Sequence, residues 1–402
     1  MKRQLAIAAA IALTGGVAGS AYAQSSVTLY GNIDVSIGYQ SNQTSVGSTS
    51  NGHSVVKQNS GIWSGSRFGF KGNEELGGGN SAQFVLEEGF NGDTGSQSVS
   101  GLMFNRQAFV GLANRDLGTV TLGRQYTAYF SILAPYSPIT WLTGFYGAHP
   151  GDIDSLDTNY RVNNSVVYTS PTLGGVTFSG SYGLGETPGS VGNGSTWSFA
   201  ARYANGPVGV GAGFMRVNNS TVGGGAWGAN SSLSNGGSEP AVSAINAGYQ
   251  LAAAQQRFAV LGSYTFSPAW DVSVSYTNVQ YIPGVNSKFA SQAIFNTGGA
   301  VLHYKATPTL DLAAGYSYTR ATKANGIADA ATYHQFNLSQ YYSLSKRTGL
   351  YVLEAYQKAK GKTISPTGSI IDATASIGDG QNGAPSATGS QLAVAVGMIH
   401  RF

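Results

Sequence analysis

Five histidines, His53, His149, His303, His334 and His400, are the side chains best suited to catalytic base chemistry in this chain. His53 and His149 fall in stretches that read as loops, and His303 and His334 fall in strands without an obvious catalytic neighbour. His400 stands beside the terminus, and no spacing makes a metal or triad signature. The arginines and acids suggest different chemistry. Arg67 shares parity with Lys71 and opposes Phe68 and Phe70; Arg161 shares parity with Asn163 and Ser165 and opposes Val162, Val166 and Tyr168. Glu87 has the parity of Gln83 and Val85, opposite Phe84 and Leu86. In alternating strands these charges all lie on the polar face. A guanidinium stays ionised at any relevant pH, so such groups facing a narrow, wet passage attract anions and repel cations. They could equally pair with acids across the passage and brace its wall, and the two roles are compatible. Arg124 shares the parity of Val120 and Leu122, which argues for an apolar outer face where a charge is costly. It therefore reads as a lumen or loop-anchor residue. Around Arg106 the alternation is weak, since Ala108 and Val110 share its parity.

The elements that must hold these residues are strands. Val27, Leu29, Gly31, Ile33, Val35, Ile37 and Tyr39 alternate with Thr28, Tyr30, Asn32, Asp34, Ser36 and Gly38. A soluble β-sandwich and a membrane barrel both explain one such strand, so repetition and connection length decide. Tight connections fall at 75–80, 115–119, 170–175, 205–207, 267–269, 306–309 and 344–347. Long polar stretches fall between them, at 41–60, 91–101, 127–160, 185–195, 218–254, 282–296, 321–331 and 361–389. Seven short turns alternating with eight long loops give a sixteen-stranded antiparallel meander, the bacterial outer-membrane pattern of a transmembrane β-barrel. The strand after the fifth long loop is placed near 256–266. Tyr39, Phe90, Tyr126, Tyr168, Tyr203, Tyr281, Tyr342 and Phe402 lie near strand ends, where aromatic girdles meet membrane interfaces. The chain ends on an alternating strand, Leu392 to Phe402, which predicts a paired terminus registering against the first strand with its even-numbered residues toward lipid.

Composition agrees with export and a membrane. Lys2 and Arg3 precede an apolar run that passes into Ala21, Tyr22 and Ala23, which reads as a signal peptide over 1–23 and a barrel over 24–402. Charged residues make up 10% of the chain, against about 25% on average, and no later segment has the roughly 18 apolar residues of a membrane helix. Formal charge is +4, or +2 without Lys2 and Arg3, which gives no support for nucleic-acid binding. There is no cysteine, so disulfides do not hold the exported chain together. No composition shift marks a second domain, and the glycine-rich pieces at 223–237 and 378–389 read as loop tips.

The connection 127–160 differs from the other loops. It carries Tyr129, Phe130, Ile132, Leu133, Tyr136, Trp141, Leu142, Phe145 and Tyr146, then Asp152, Asp154 and Asp157. A solvated loop would not expose so many aromatics, so this one should pack against the inner wall and hold its carboxylates at the narrowest point. An extracellular flap or a subunit contact would bury them too.

Several strings resemble the general porins of the Gram-negative outer membrane, in particular their beta-proteobacterial branch. They are SSVTLYGNIDVSIGY, SGSRFGFKGNEELGGGNSAQFVLEEGF, NRQAFVGLANRDLGTVTLGRQY, RVNNSVVYTSP, YYSLSKRTGLYVLEAYQ and the terminal Phe402, in that order along the chain. The resemblance implies a homotrimer of sixteen-stranded barrels whose third loop folds inward and narrows the pore. It implies that Arg67, Arg106 and Arg161, in SGSRFGF, NRQAFVG and RVNNSVVY, form the basic cluster of the constriction, with Arg124 and Lys71 beside them. Glu87, Asp152, Asp154 and Asp157 would supply its acidic side. Phe402 resembles the signal read by the barrel-assembly machinery, and the partners so implied include periplasmic chaperones, outer-membrane lipid and lipopolysaccharide, but no nucleic acid.

The leading reading is a water-filled channel for passive diffusion of small hydrophilic solutes and ions, with anion preference. An alternative on the same architecture is a substrate-selective channel whose Tyr129 or Trp141 guide sugars or aromatic acids. An outer-membrane hydrolase and a secreted soluble β-protein with adhesive loops are remote. The residues suggest no cofactor, and no acidic stretch has a spaced ligand set for calcium.

Overall fold

The computed structural model describes residues 26–157, 160–225, 242–378 and 385–402, apart from the Phe145 side chain. The segment read as a signal peptide lies outside them, as does most of the tip expected at 223–237 and half of that at 378–389. No helix among the described residues is long and apolar enough to cross a membrane; strands do the crossing.

The strands are β1 (Ser26–Gln43), β2 in two pieces (His53–Ser60 and Arg67–Gly77), β3 (Asn80–Gly89), β4 (Gln107–Asn114), β5 (Gly118–Gln125), β6 (Val162–Thr169), β7 (Val176–Gly183) and β8 (Thr196–Asn205). They continue as β9 (Val208–Asn218), β10 (Ala254–Ser267), β11 (Trp270–Ile282), β12 (Ala293–Thr307), β13 (Leu310–Ala321), β14 (Thr332–Ser343), β15 (Thr348–Lys360) and β16 (Ser390–Arg401). Each pairs antiparallel with its neighbour in sequence, and β16 returns to β1, so the sixteen strands form a closed barrel. The closing register runs from Asn32 opposite Arg401 to Gln40 opposite Ala393. Closure removes both sheet edges and pairs the backbone groups that lipid cannot hydrogen-bond.

Alternation sorts the side chains. Along β16 the even-numbered Leu392, Val396 and Met398 are exposed, while Gln391, Ala393, Ala395 and Ile399 are buried, as the parity of the sequence predicts. Leu29, Ile37, Val110, Leu112, Phe199, Val274, Phe336 and Leu338 continue this exposed apolar surface around the barrel. In water it would be an aggregation site; in a bilayer it is the lipid-facing wall.

The short and long connections fall where the sequence puts them, with one exception. The first long loop stops at 52, and His53 opens a strand instead of lying in a loop. The segment His53–Ser60 is mostly polar and hides from an apolar-period reading, but its ladder to Val35–Gln40 of β1 holds it. Between the two pieces of β2, residues 61–66 stand opposite only Ile33 and Asp34, because Ser60 pairs with Val35 and Arg67 with Asn32. The missing ladder bonds are replaced locally. Gly61 N and Ser66 Oγ donate to the Asp34 carbonyl at 2.8 and 3.0 Å, and the Asp34 carboxylate accepts Ser64 N at 2.7 Å and the Tyr351 hydroxyl at 2.6 Å.

The connection between β5 and β6 is bonded to the buried face of many strands. It begins with α1 (Ala128–Leu133), capped by Thr127 Oγ1, which accepts Phe130 N at 3.1 Å. Ala128 N and Tyr129 N donate to Ser181 of β7 and Ser198 of β8. Leu142 packs on Val301 and Ala313, Ser339 donates to the Trp141 carbonyl, and Gln335 and Asn337 donate to the carbonyls of Ala148 and Tyr146. Tyr146 joins Tyr351, Leu353, Ala393 and Ala395. Arg257 then donates to the Ile153 carbonyl at 2.9 Å on the way back to β6.

Candidate functional site

The residues of the basic cluster come from adjacent parts of the wall. Arg67 opens the second piece of β2, Glu87 lies on β3, Arg106 immediately precedes β4, Arg124 is on β5 and Arg161 precedes β6. Glu87 is opposite Gly69, which in turn is opposite Tyr30 of β1. Gly69 is required here by space: a Cβ on it would meet the Tyr30 hydroxyl at 2.9 Å. Tyr30 thus reaches across the bare glycine and donates to Glu87 Oε2 at 3.0 Å.

Glu87 is the acidic centre of the cluster. Arg106 Nε donates to its Oε1 at 2.7 Å, and Arg67 Nε lies 3.6 Å from its Oε2. Tyr126 ties in the third arginine: its hydroxyl accepts Arg106 at 3.0 Å and Arg161 at 2.8 Å, and the Arg161 guanidinium sits 4.8 Å from its ring centre. Three guanidiniums therefore share one carboxylate and one phenol. Tyr126 is not a membrane-girdle residue, contrary to the expectation from its place at a strand end, because two guanidiniums hold it inward. Tyr281 also departs from that expectation; it is buried, stacked on Tyr249 and bonded to Asn246.

Arg124 points inward although Val120 and Leu122, of the same parity, are exposed. The ladder is irregular here: between the Gly123–Ser165 and Gln125–Val162 pairs a bulge in β6 sets Asn163 and Asn164 together opposite Arg124, and Gly123 has φ +135°. Arg124 Nε then donates to the Asn105 carbonyl at 2.7 Å and Nη1 to Asn163 Oδ1 at 2.6 Å, which anchors the segments entering β4 and β6. Lys71 is exposed, with its ammonium 5.3 Å from the Tyr30 ring centre.

The three aspartates are placed apart in role. Asp152 Oδ1 accepts Leu156 N and Asp157 N at 3.1 and 3.0 Å, and Asp157 itself is buried. Asp154 is fully buried, 2.6 Å from His149 Nδ1 and accepting the Thr277 hydroxyl at 2.9 Å. Burial alone would raise its carboxyl, but His149, Thr277 and Arg257 more than offset that and hold it below the usual carboxylate range. This carboxylate is engaged with the wall.

His149 Nε2 lies 3.2 Å from Ser275 Oγ, so Ser275, His149 and Asp154 follow the bonding order of a hydrolase triad. A working triad must admit a substrate to its nucleophile. Here the imidazole and carboxylate are sealed between the connection and β11, which makes the relay a latch. Sequence reasoning missed it because Ser275 and His149 are 126 positions apart, and it missed Arg257, whose fully buried guanidinium reads as polar filling in an unremarkable strand. Among the described residues no group of three or more histidines and acids could hold a metal ion.

Comparison with known proteins agrees with the barrel fold. The family model described as Gram-negative porin matches residues 6–362. An outer membrane porin protein of Bordetella pertussis is 34% identical over 232 residues, covering 52% of this chain and 59% of that protein. Outer membrane porin protein 32 of Delftia acidovorans is 32% identical over 234 residues, covering 56% of this chain and 62% of that protein. The chain thus spans about three fifths of the length of these curated relatives. In fold it is similar to a solved anion-selective porin from Comamonas acidovorans, with TM-score 0.68 at 22% identity over 94% of this chain and all of that one. A closed sixteen-stranded barrel with an apolar outer wall, matched by that model over most of its length, belongs to the Gram-negative porins of the outer membrane and is related to those of beta-proteobacteria.

Proposed function

We propose that the barrel is a water-filled channel for passive diffusion of small hydrophilic solutes and ions, with a preference for anions set by Arg67, Arg106 and Arg161. The observation that carries this reading is the imbalance of the cluster. Among the described residues, Arg67 and Arg106 share the carboxylate of Glu87, and Arg106 and Arg161 share the phenol of Tyr126, with Arg124 behind them. In a confined aqueous passage an excess of guanidiniums over carboxylates raises the local anion concentration. The porin from Comamonas acidovorans that it resembles in fold is anion-selective, which points the same way.

The connection between β5 and β6 acts as the constriction in this reading, folding inward and narrowing the lumen opposite the arginines. Its bonds to buried-face side chains, from Ser181 on β7 to Asn337 on β14, support that placement. Lys71 would extend the basic surface, and Asp152 and Asp157 the acidic one. Asp154 would serve as the fastening of the loop and not as an open charge in the pore.

The assembly is read as a homotrimer in a lipopolysaccharide-bearing membrane, built by the barrel-assembly machinery with periplasmic chaperones. The outer face of β1 to β5 presents apolar Leu29, Ile37, Phe70, Val110, Leu112 and Leu122, whereas exposed Arg320 and Lys360 stand on β13 and β15. A largely apolar sector suits contact with a second copy, and a sector with basic residues near its rim suits anionic headgroups.

The test is the reversal potential of purified protein in planar bilayers under a salt gradient. Neutral replacement of Arg67, Arg106 and Arg161 together is expected to abolish the anion preference while leaving stepwise conductance; an unchanged reversal potential would sink the assignment.

A further inference from the structure

We propose that the inner wall near the short-turn rim carries a binding subsite for planar aromatic carboxylates. The proposal rests on the channel reading and extends the alternative of a solute-selective passage to one place and one ligand class. A cavity of about 580 Å³ lies there among Trp63, Trp141, Tyr341, Asp311, Lys346 and Arg401. That is ample for a single-ring solute.

Its aromatic walls have separate origins. Trp63 comes from the 61–66 break in β2, Trp141 from the connection between β5 and β6, and Tyr341 from β14. The Trp63 and Tyr341 ring centres are 4.6 Å apart, and both rings are half-buried. Trp141 lies flat on His303, 3.4 Å between centres and 5° between planes, so one of its faces is closed and its remaining surface borders the cavity.

The charges decide what such walls would hold. The carboxylate lining the cavity is engaged: Asp311 lies 3.1 Å from His303 Nε2 and 3.4 Å from Lys305, while Asp271, behind His303, lies 2.6 Å from its Nδ1. The cations are not. Among the described residues Lys346, exposed in the turn between β14 and β15, makes no ion pair. Arg401 donates to the Tyr341 hydroxyl at 3.0 Å and, among the described residues, makes no ion pair, with the buried Asp34 carboxylate within range of its charge. Flat rings beside the Lys346 ammonium and the Arg401 guanidinium suit a ligand that stacks at one end and is anionic at the other. A neutral sugar carries no charge for Lys346 and Arg401 to meet, so these cations favour the acid.

The test titrates the whole protein, folded in detergent, with benzoate by calorimetry. Benzoate is expected to bind, and cyclohexanecarboxylate, of equal charge but not planar, to bind about tenfold more weakly. Lys346→Gln, on an exposed turn, and Trp141→Leu should each weaken benzoate several-fold, and glucose should give no heat. Equal affinity for the two acids, unchanged benzoate binding in both variants, absent benzoate binding, or glucose binding in its place would each overturn the subsite. The comparison of ligands needs no variant, so misfolding of Trp141→Leu does not blunt it. Bilayer conductance of the same preparation reports on the channel separately. A conducting protein that ignores benzoate overturns the subsite alone, and a binding protein that does not conduct overturns the channel alone.

Discussion

Phe402 and Gly31 exchange both of their backbone hydrogen bonds, each at 3.1 Å, and a Cβ on residue 31 would stand 2.5 Å from the tip of the Phe402 ring. The final residue is therefore the last rung of the seam between β1 and β16, and its ring occupies space that only glycine leaves. Deleting Phe402 removes two bonds of about 1 kcal/mol each and opens the end of the seam. The yield of folded barrel, scored by migration of unheated samples on a gel, should fall severely, while the molecules that do assemble conduct normally. Gly31→Val should reproduce the assembly loss with the terminus intact. Normal yield from both variants contradicts the seam reading.

Glu87→Gln separates selectivity from stability. The change leaves Arg106 and Arg67 without their carboxylate, so anion preference should rise, not fall. Breaking the 2.7 Å Arg106 contact in a buried setting should cost about 3 kcal/mol, seen as a lower temperature for heat modification. A reversal potential shifted toward cations would contradict the proposed role of the cluster.

The Asp154 latch predicts an acid limit. Its carboxyl is held below the ordinary value of 3.8 by His149, Thr277 and Arg257 against the effect of burial, with Tyr129 and Asp152 also nearby. A depressed acid stabilises fully above its unfolded value, and the stabilisation is lost as pH falls through the lower folded value. Open-channel current noise should stay low from pH 7 to about 4 and rise only below that. Asp154→Asn should be noisy at every pH, because the His149 and Arg257 contacts lose their charge partner. Equal noise in the two proteins at pH 7 would remove the latch.

Gly123→Ala tests the turning of Arg124. The φ of +135° is strained for alanine, and the new Cβ would lie 2.2 Å from the Ala108 carbonyl oxygen, so about 1–3 kcal/mol of stability should be lost. Gly180→Ala, whose Cβ would meet nothing closer than 4.0 Å, is the silent control. Arg124→Gln should lose the bonds to Asn105 and Asn163 with the barrel intact, seen as faster proteolysis of the β3 to β4 connection.

The barrel was legible because its determinants are local: parity places each strand, and turn residues place each connection. Arg67, Arg161 and Glu87 could be oriented from their neighbours for the same reason. Arg124 could not, since the bulge that turns it lies across the ladder, at Asn163 and Asn164 of β6, and nothing in the residues around Arg124 announces it. The piece His53–Ser60 was hidden because a polar strand held by its ladder has no apolar period. The contacts joining Asp34 to Tyr351, Arg257 to Ile153 and His149 to Ser275 were out of reach, as each pairs positions at least 104 apart. They exist only once the sheet is closed.

The break in β2 also bears on how such a molecule can change. The girth of a barrel follows from its strand number and stagger, and both are fixed by ladders that must agree all the way round. Residues 61–66 add inner surface, including Trp63, at the expense of only two facing positions on β1. Lengthening or recolouring that pouch would alter what the lumen offers to a solute without re-registering any other strand. The pouch is thus a place where the lining can diversify while the wall stays the same size.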